Sequence, residues 1–250
     1  MMIKIGCCGW GFYKGGLKAY AQKFSLVECQ QTFYKLPMVK TAQRWRDEVP
    51  KDFEITVKAW QTITHHPSSP TWRRSGLKLT PEQERNYGWL RPTKENFGAW
   101  QRVREICVAL RAEICVLQTP PNFGCTDENI KNLSRFLDNI DRRGLVLAWE
   151  PRGDWRENEA KVKKLCRDLD LVHVVDLMRR YPVSEASIAY TRLHGLNPRE
   201  YDYRYYYTKE ELRELARRVK ELEKVHEKVY VMFNNTEMYQ NALELVELIK

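Results

Sequence analysis

The chain has 250 residues, 43% of them apolar, which is enough to enclose a core and fits one domain over residues 1–250 rather than two. It contains no run of about 18 uncharged apolar residues, which excludes a membrane-spanning helix, and the stretch before Gly6 is too short for a signal peptide, so a cytoplasmic protein with no membrane partner is expected. Lys and Arg number 42 against 33 Asp and Glu, a formal charge of +9 that favours an anionic partner, either a small molecule or a nucleic acid; the plainer alternative is a basic solvated surface.

In chain order, the first apolar run, Ile3–Cys8, leads into the glycine-rich turn Gly9–Gly16 and a short helix near Leu17–Lys23. A second run, Leu26–Cys29, carries Glu28, and a helix near Val39–Glu48 ends before Pro50. The third, Phe53–Val57, is followed by Lys58 and by the longest irregular stretch, Ala59–Thr93, which is rich in Trp and Arg and suits a lid. Further runs at Ile114–Leu117, Leu145–Trp149, Leu171–Val175, Ile188–Thr191 and Val229–Phe233 are followed by Gln118, Glu150, Asp176, Arg192 and Asn234. Helical patterns fall between most of these runs, at about 95–111, 127–141, 157–169 and 209–224, and a last one closes the chain after Thr236, a candidate N-cap. A strand–helix alternation repeated eight times predicts a single α/β domain, a (β/α)8 TIM-like barrel with a long loop after strand 3 and its chemistry at the C-terminal strand ends.

Strand parity selects the side chains at those ends. Residues two apart share a face, so Lys58 aligns with Thr56, Glu150 with Ala148 and Arg192 with Tyr190, whereas His173 is out of step with Asp176 and is expected to face the helices. Glu28, Glu150, Asp176 and His194 are the catalytic candidates, as proton-transfer groups or as ligands of a divalent metal; salt-bridging to neighbouring cations is the structural alternative. Lys58, Arg152 and Arg192 form a candidate anion cradle, since Arg grips a phosphate or carboxylate with paired hydrogen bonds. His65, Asn234, Asn235, Trp10, Tyr34 and Gln118 are candidate substrate contacts. The seven cysteines are odd in number and lack C-x-x-C spacing, which argues against a disulfide framework, but Cys7, Cys8 and Cys29 at strand ends are candidates for a soft metal or an iron–sulfur cluster.

Gly6–Cys7–Cys8–Gly9–Trp10, Val27–Glu28 through Thr32–Phe33–Tyr34, Lys58 with Thr64–His65, Gln118–Thr119–Pro120–Pro121 and Glu150–Pro151–Arg152 follow in order. Asp176, Arg192–Leu193–His194–Gly195, Phe233–Asn234–Asn235–Thr236 and Asn241–Ala242 continue the series. In these motifs the chain resembles the YecE-like family, also called domain of unknown function 72. The resemblance implies a TIM-like barrel with a charged pocket at its C-terminal face, and no established reaction. Cys7, Cys8 and Cys29 depart from the small hydroxyl and apolar residues usual at those positions in the family.

The combined expectation is an enzyme acting on an anionic, phosphate-containing substrate, with phosphoester hydrolysis, including that of nucleic acid, as the leading reaction. One alternative is a non-catalytic protein that binds single-stranded nucleic acid through Trp72, Trp89, Arg73, Arg74 and the tyrosines at 201–207. Another is a sugar or sugar-phosphate isomerase, which rests on the fold alone.

Overall fold

A computed structural model describes residues 2–249. Eight strands form a closed barrel in sequence order: β1 (Met2–Cys7), β2 (Leu26–Cys29), β3 (Glu54–Lys58), β4 (Ile114–Gln118), β5 (Val146–Glu150), β6 (Leu171–Val175), β7 (Ile188–Leu193) and β8 (Lys228–Phe233). Paired strands run parallel, as the strand–helix alternation requires. The helices are α1 (Gly16–Tyr20), α2 (Gln31–Tyr34), α3 (Val39–Asp47), α4 (Gln61–Thr64), α5 (Pro81–Asn86), α6 (Lys94–Leu110), α7 (Asp127–Asn139), α8 (Glu159–Asp168), α9 (Lys209–Glu223) and α10 (Met238–Ile249). None of the described helices is long and apolar enough to cross a membrane.

Contacts group the chain into two compact units. The first comprises the stretch up to Glu28, Glu48–Glu54 and everything from Val172 on; the second comprises Cys29–Asp47 and Ile55–Leu171. In the first unit, Tyr20 joins β1 to β2: its hydroxyl accepts from Cys7 N at 2.9 Å and donates to Leu26 O at 2.8 Å. Its ring stacks on Phe24 and meets Phe53 and Tyr239 edge-on, so the glycine-rich turn stands on an aromatic base. In α9 the buried Leu212, Leu215, Val219 and Leu222 make a helical stripe, and a Thr208–Glu211 capping box starts the helix.

In the second unit, β4 is buried along its whole length, the pattern of a parallel strand covered on both faces. In the first unit's Glu48–Glu54 segment, Phe53 N bonds Pro50 O in a turn, so β3 begins one residue later than the hydrophobic run suggests, and Lys58 is its last residue. Residues 153–157 form a 3-10 turn after β5, which delays α8 to Glu159.

The stretch Ala59–Thr93 is less irregular than its composition suggests. It contains α4, a 3-10 turn at Trp72–Ser75 and α5, the last started by a Thr80–Gln83 capping box. Its far end is tied back onto α4: Gly88 N bonds Thr62 O at 2.8 Å and Leu90 N bonds Ile63 O at 2.9 Å. Gly88, Trp89 and Leu90 all have positive φ, and a Cβ at Gly88 would lie 2.2 Å from His65 O, so only glycine fits there.

Candidate functional site

In the second unit, Lys58, Gln118 and Glu150 end β3, β4 and β5, and Gln118 is the register partner of Glu150. Lys58 Nζ donates to Gln118 Oε1 at 2.8 Å and lies 3.9 Å above the Phe33 ring. His65, at the end of α4, contacts Thr64 Oγ1 at 2.8 Å through Nδ1 and Gln118 Nε2 at 3.5 Å through Nε2. Arg152 Nε donates to Glu150 Oε1 at 2.6 Å in a buried ion pair. Burial, followed by the Lys58 and Arg152 charges, pushes the His65 imidazole down to about 3; Glu150 opposes the shift without cancelling it. His65 is therefore uncharged at neutral pH and sits in a net positive field. Tyr34 lies nearby in sequence on α2, its ring covered by the Arg74 guanidinium at 3.5 Å and its carbonyl accepting from Trp60 and Gln61.

In the first unit, Glu28 on β2 is fully buried between two residues of β7: Arg192 is 3.0 Å from Oε1, and the Tyr190 hydroxyl donates to Oε2 at 2.9 Å. Asp176, just past β6, accepts His194 N at 2.9 Å and Met178 N at 3.0 Å, with Arg179 4.0 Å away. Burial pushes its carboxyl up to about 6, against the lowering effect of those N–H groups and of Arg179. His194 itself is buried, with Nδ1 3.2 Å from Asn234 Nδ2 and the rings of Tyr201 and Tyr203 edge-on at 5.6 and 5.4 Å. Arg179 anchors the turn after β7 by donating to Gly195 O and Asn197 O, both at 2.7 Å.

The family described as "Protein of unknown function DUF72" matches residues 4–250. The chain belongs to the DUF72 family. The UPF0759 protein YunF of Bacillus subtilis (strain 168) is 22% identical over 99% of this chain and 95% of its own length. A DUF72 family protein from Enterococcus faecalis V583 superposes with a TM-score of 0.77 at 19% identity, covering 99% of this chain and 95% of that one. Another from Thermotoga maritima MSB8 gives 0.75 at 24% identity, covering 100% and 99%. More distant barrels share the fold only, among them endonuclease IV from Thermus thermophilus (TM-score 0.53, 10% identity, 99% and 97% covered).

Several residues of this DUF72 chain differ in setting from what its sequence suggests. Arg152 and Arg192 each face a buried carboxylate, Glu150 and Glu28, the salt-bridged setting that the sequence offers as the structural alternative. Asn235 is a strut: its Nδ2 donates to Tyr205 O and Asn241 Oδ1, both at 2.9 Å. α10 starts at Met238, and Thr236 Oγ1 bonds Tyr205 O at 3.4 Å. Trp10 is buried on the turn after β1. His173 is buried on β6, and its Nδ1 accepts from Val183 N at 3.1 Å.

The metal expectation finds no donor set. Among the described residues, no group of three or more His, Cys, Asp or Glu side chains could hold a metal ion. Glu28 and Glu150 are engaged by arginines, Asp176 by backbone N–H groups and His194 by Asn234. Cys7 Sγ donates to Met238 O at 3.4 Å and burial holds its thiol well above the usual range; burial pushes Cys29 up to about 12. Cys8 is buried, with its N–H on Phe233 O.

The sequence patterns assign no role to Tyr190, Arg179, Thr64 or Phe33, and mark the tyrosines at 201–207 only as stacking groups. Tyr190 carried a usable signal, since it is two residues before Arg192 and shares its face. The others depend on tertiary approach that spacing does not encode. Tyr205 and Tyr206 donate their hydroxyls to Glu211 and Glu244, and Tyr207 accepts Gly195 N at 2.8 Å.

Proposed function

We propose that this DUF72 protein is an enzyme that binds an anionic, phosphate-bearing substrate at the Lys58 cluster and hydrolyses a phosphoester. The observation that carries this reading is the net positive field at the buried, uncharged His65, where Lys58 and Arg152 together outweigh Glu150. An anion entering such a low-dielectric setting is stabilised more strongly than at an exposed lysine. Lys58 supplies the point charge, and Gln118 fixes its direction. In the hydrolysis, a water oxygen bonds to phosphorus, the ester P–O bond breaks, and the water proton passes to the leaving oxygen. Glu150, its orientation held by Arg152, is the carboxylate of this unit suited to relay that proton. In the first unit, burial raises the Asp176 carboxyl to about 6, toward neutral pH.

The barrel alone does not choose a chemistry, since it also serves proteins as different as endonuclease IV and a D-tagatose 3-epimerase-like protein. The reading is tested by a panel of phosphomonoesters, phosphodiesters and nucleic acids assayed with and without added divalent cations. Turnover of at least one class is expected, reduced roughly a hundredfold or more by Glu150→Gln, the range for loss of a positioned acid–base group. No turnover across the panel, or turnover indifferent to both Glu150→Gln and Lys58→Met, would overturn it.

A further inference from the structure

The Lys58 cluster contains a chain of polar contacts whose direction is fixed at one end. Lys58 Nζ is 2.8 Å from Gln118 Oε1, Gln118 Nε2 is 3.5 Å from His65 Nε2, and His65 Nδ1 is 2.8 Å from Thr64 Oγ1. An ammonium has only donors, so the amide atom facing it is the oxygen and the Gln118 NH2 is turned toward His65. An amide NH2 also only donates, so the imidazole nitrogen that meets it carries the lone pair. The ring proton is left on Nδ1, where the Thr64 hydroxyl oxygen accepts it.

We propose that Gln118 is a positioning residue, a one-way relay through which the Lys58 ammonium fixes His65 as the neutral Nδ1–H imidazole. The groups that face His65 agree with this assignment. Phe33 from α2 meets the ring edge-on at 5.0 Å and also lies under Lys58 Nζ, so one phenyl group braces both ends of the relay. From the strands, Lys58 on β3 and Arg152 beyond β5 oppose a charge on the ring, and Glu150 on β5 favours it less strongly. The opposite tautomer would set the Nε2–H against the Gln118 NH2 and leave Nδ1 as an acceptor for Thr64, a mismatch that propagates to Lys58.

The consequence deepens the proposed function and rests on it. His65 gives a bound phosphate neither positive charge nor a proton, so anion recognition falls to Lys58. The tautomer itself does not depend on that function.

The experiment is a long-range 1H–15N correlation spectrum of the 15N-labelled full chain near neutral pH, with the His65 signals assigned by their disappearance in His65→Asn. The expected spectrum has a protonated Nδ1 and an unprotonated Nε2, unchanged between about pH 5 and 8, where an ordinary histidine titrates. In Gln118→Glu, a carboxylate accepts from both neighbours, so the proton is expected to move to Nε2 or the ring to become charged. In Gln118→Met the relay is cut and mixed tautomers are expected, which keeps the test usable if the Glu variant does not fold. A wild-type His65 protonated at Nε2, a charged ring at neutral pH, or a signal unmoved by both substitutions would overturn the proposal. Because the tautomer is read without any ligand, absence of phosphoester activity would count against the function and leave this result standing.

Discussion

Glu28 and Arg192 meet where neither has any solvent exposure, and the Tyr190 hydroxyl occupies the second carboxylate oxygen. Removing one partner strands the other charge in a low-dielectric interior, so Arg192→Met is expected to cost about 3–5 kcal/mol in chemical denaturation. The double variant with Glu28→Gln should recover part of that loss; a double variant no more stable than Arg192→Met would argue against the pair. Asp176 gives a prediction with a definite sign. Its folded pKa of about 6 lies above the usual carboxylate value, so the folded chain holds a proton that the unfolded chain has released. The stability it contributes is full below about pH 4 and is lost as pH rises through about 6, on the order of 3 kcal/mol in all. His65 acts the other way, because its folded pKa of about 3 makes acid conditions unfavourable to the fold. The comparison that isolates Asp176 is therefore the stability–pH curve of Asp176→Asn against wild type. The two curves should diverge across that window, and parallel curves would contradict the assignment.

The strands were legible in the chain because parallel barrel strands are buried on both faces and read as continuous apolar runs; β4 and β8 are the clearest cases. Position at the ends of those runs likewise brought out Glu28, Lys58, Glu150 and Arg192 as strand-end groups. It could not say that Glu28 would be closed off by Tyr190 and Arg192, because that choice is made by side chains from β2 and β7 meeting inside the first unit. The stretch Ala59–Thr93 was the least legible part. Its helices are too short to show a hydrophobic period, and its order comes from backbone bonds to α4 that no spacing reveals. That tie depends on Gly88, whose φ is +78° and which has no room for a Cβ beside His65 O. Gly88→Ala is expected to destabilise the chain by about 1–3 kcal/mol, the range for backbone strain of this kind. Limited proteolysis should then cut first between residues 66 and 87. A variant as resistant as wild type would show that the loop holds without this turn.

For the whole molecule, the formal charge is +9, to which the exposed arginine–glutamate pairs on α9, such as Arg217–Glu214 and Arg213–Glu210, add no net charge; such pairs contribute little to stability and are readily screened. Net charge alone would therefore give weak, salt-sensitive attraction of any polyanion, whereas recognition at the buried Lys58 should persist at moderate salt. The most direct measurement is calorimetric titration of wild type and Lys58→Met with inorganic phosphate at moderate ionic strength, each checked by thermal unfolding to be folded. Saturable one-site binding to wild type, weakened about tenfold or more in Lys58→Met as for loss of one charged hydrogen bond, is the predicted result. No binding to wild type, or equal affinity in the two proteins, would contradict the assignment of an anion site to Lys58.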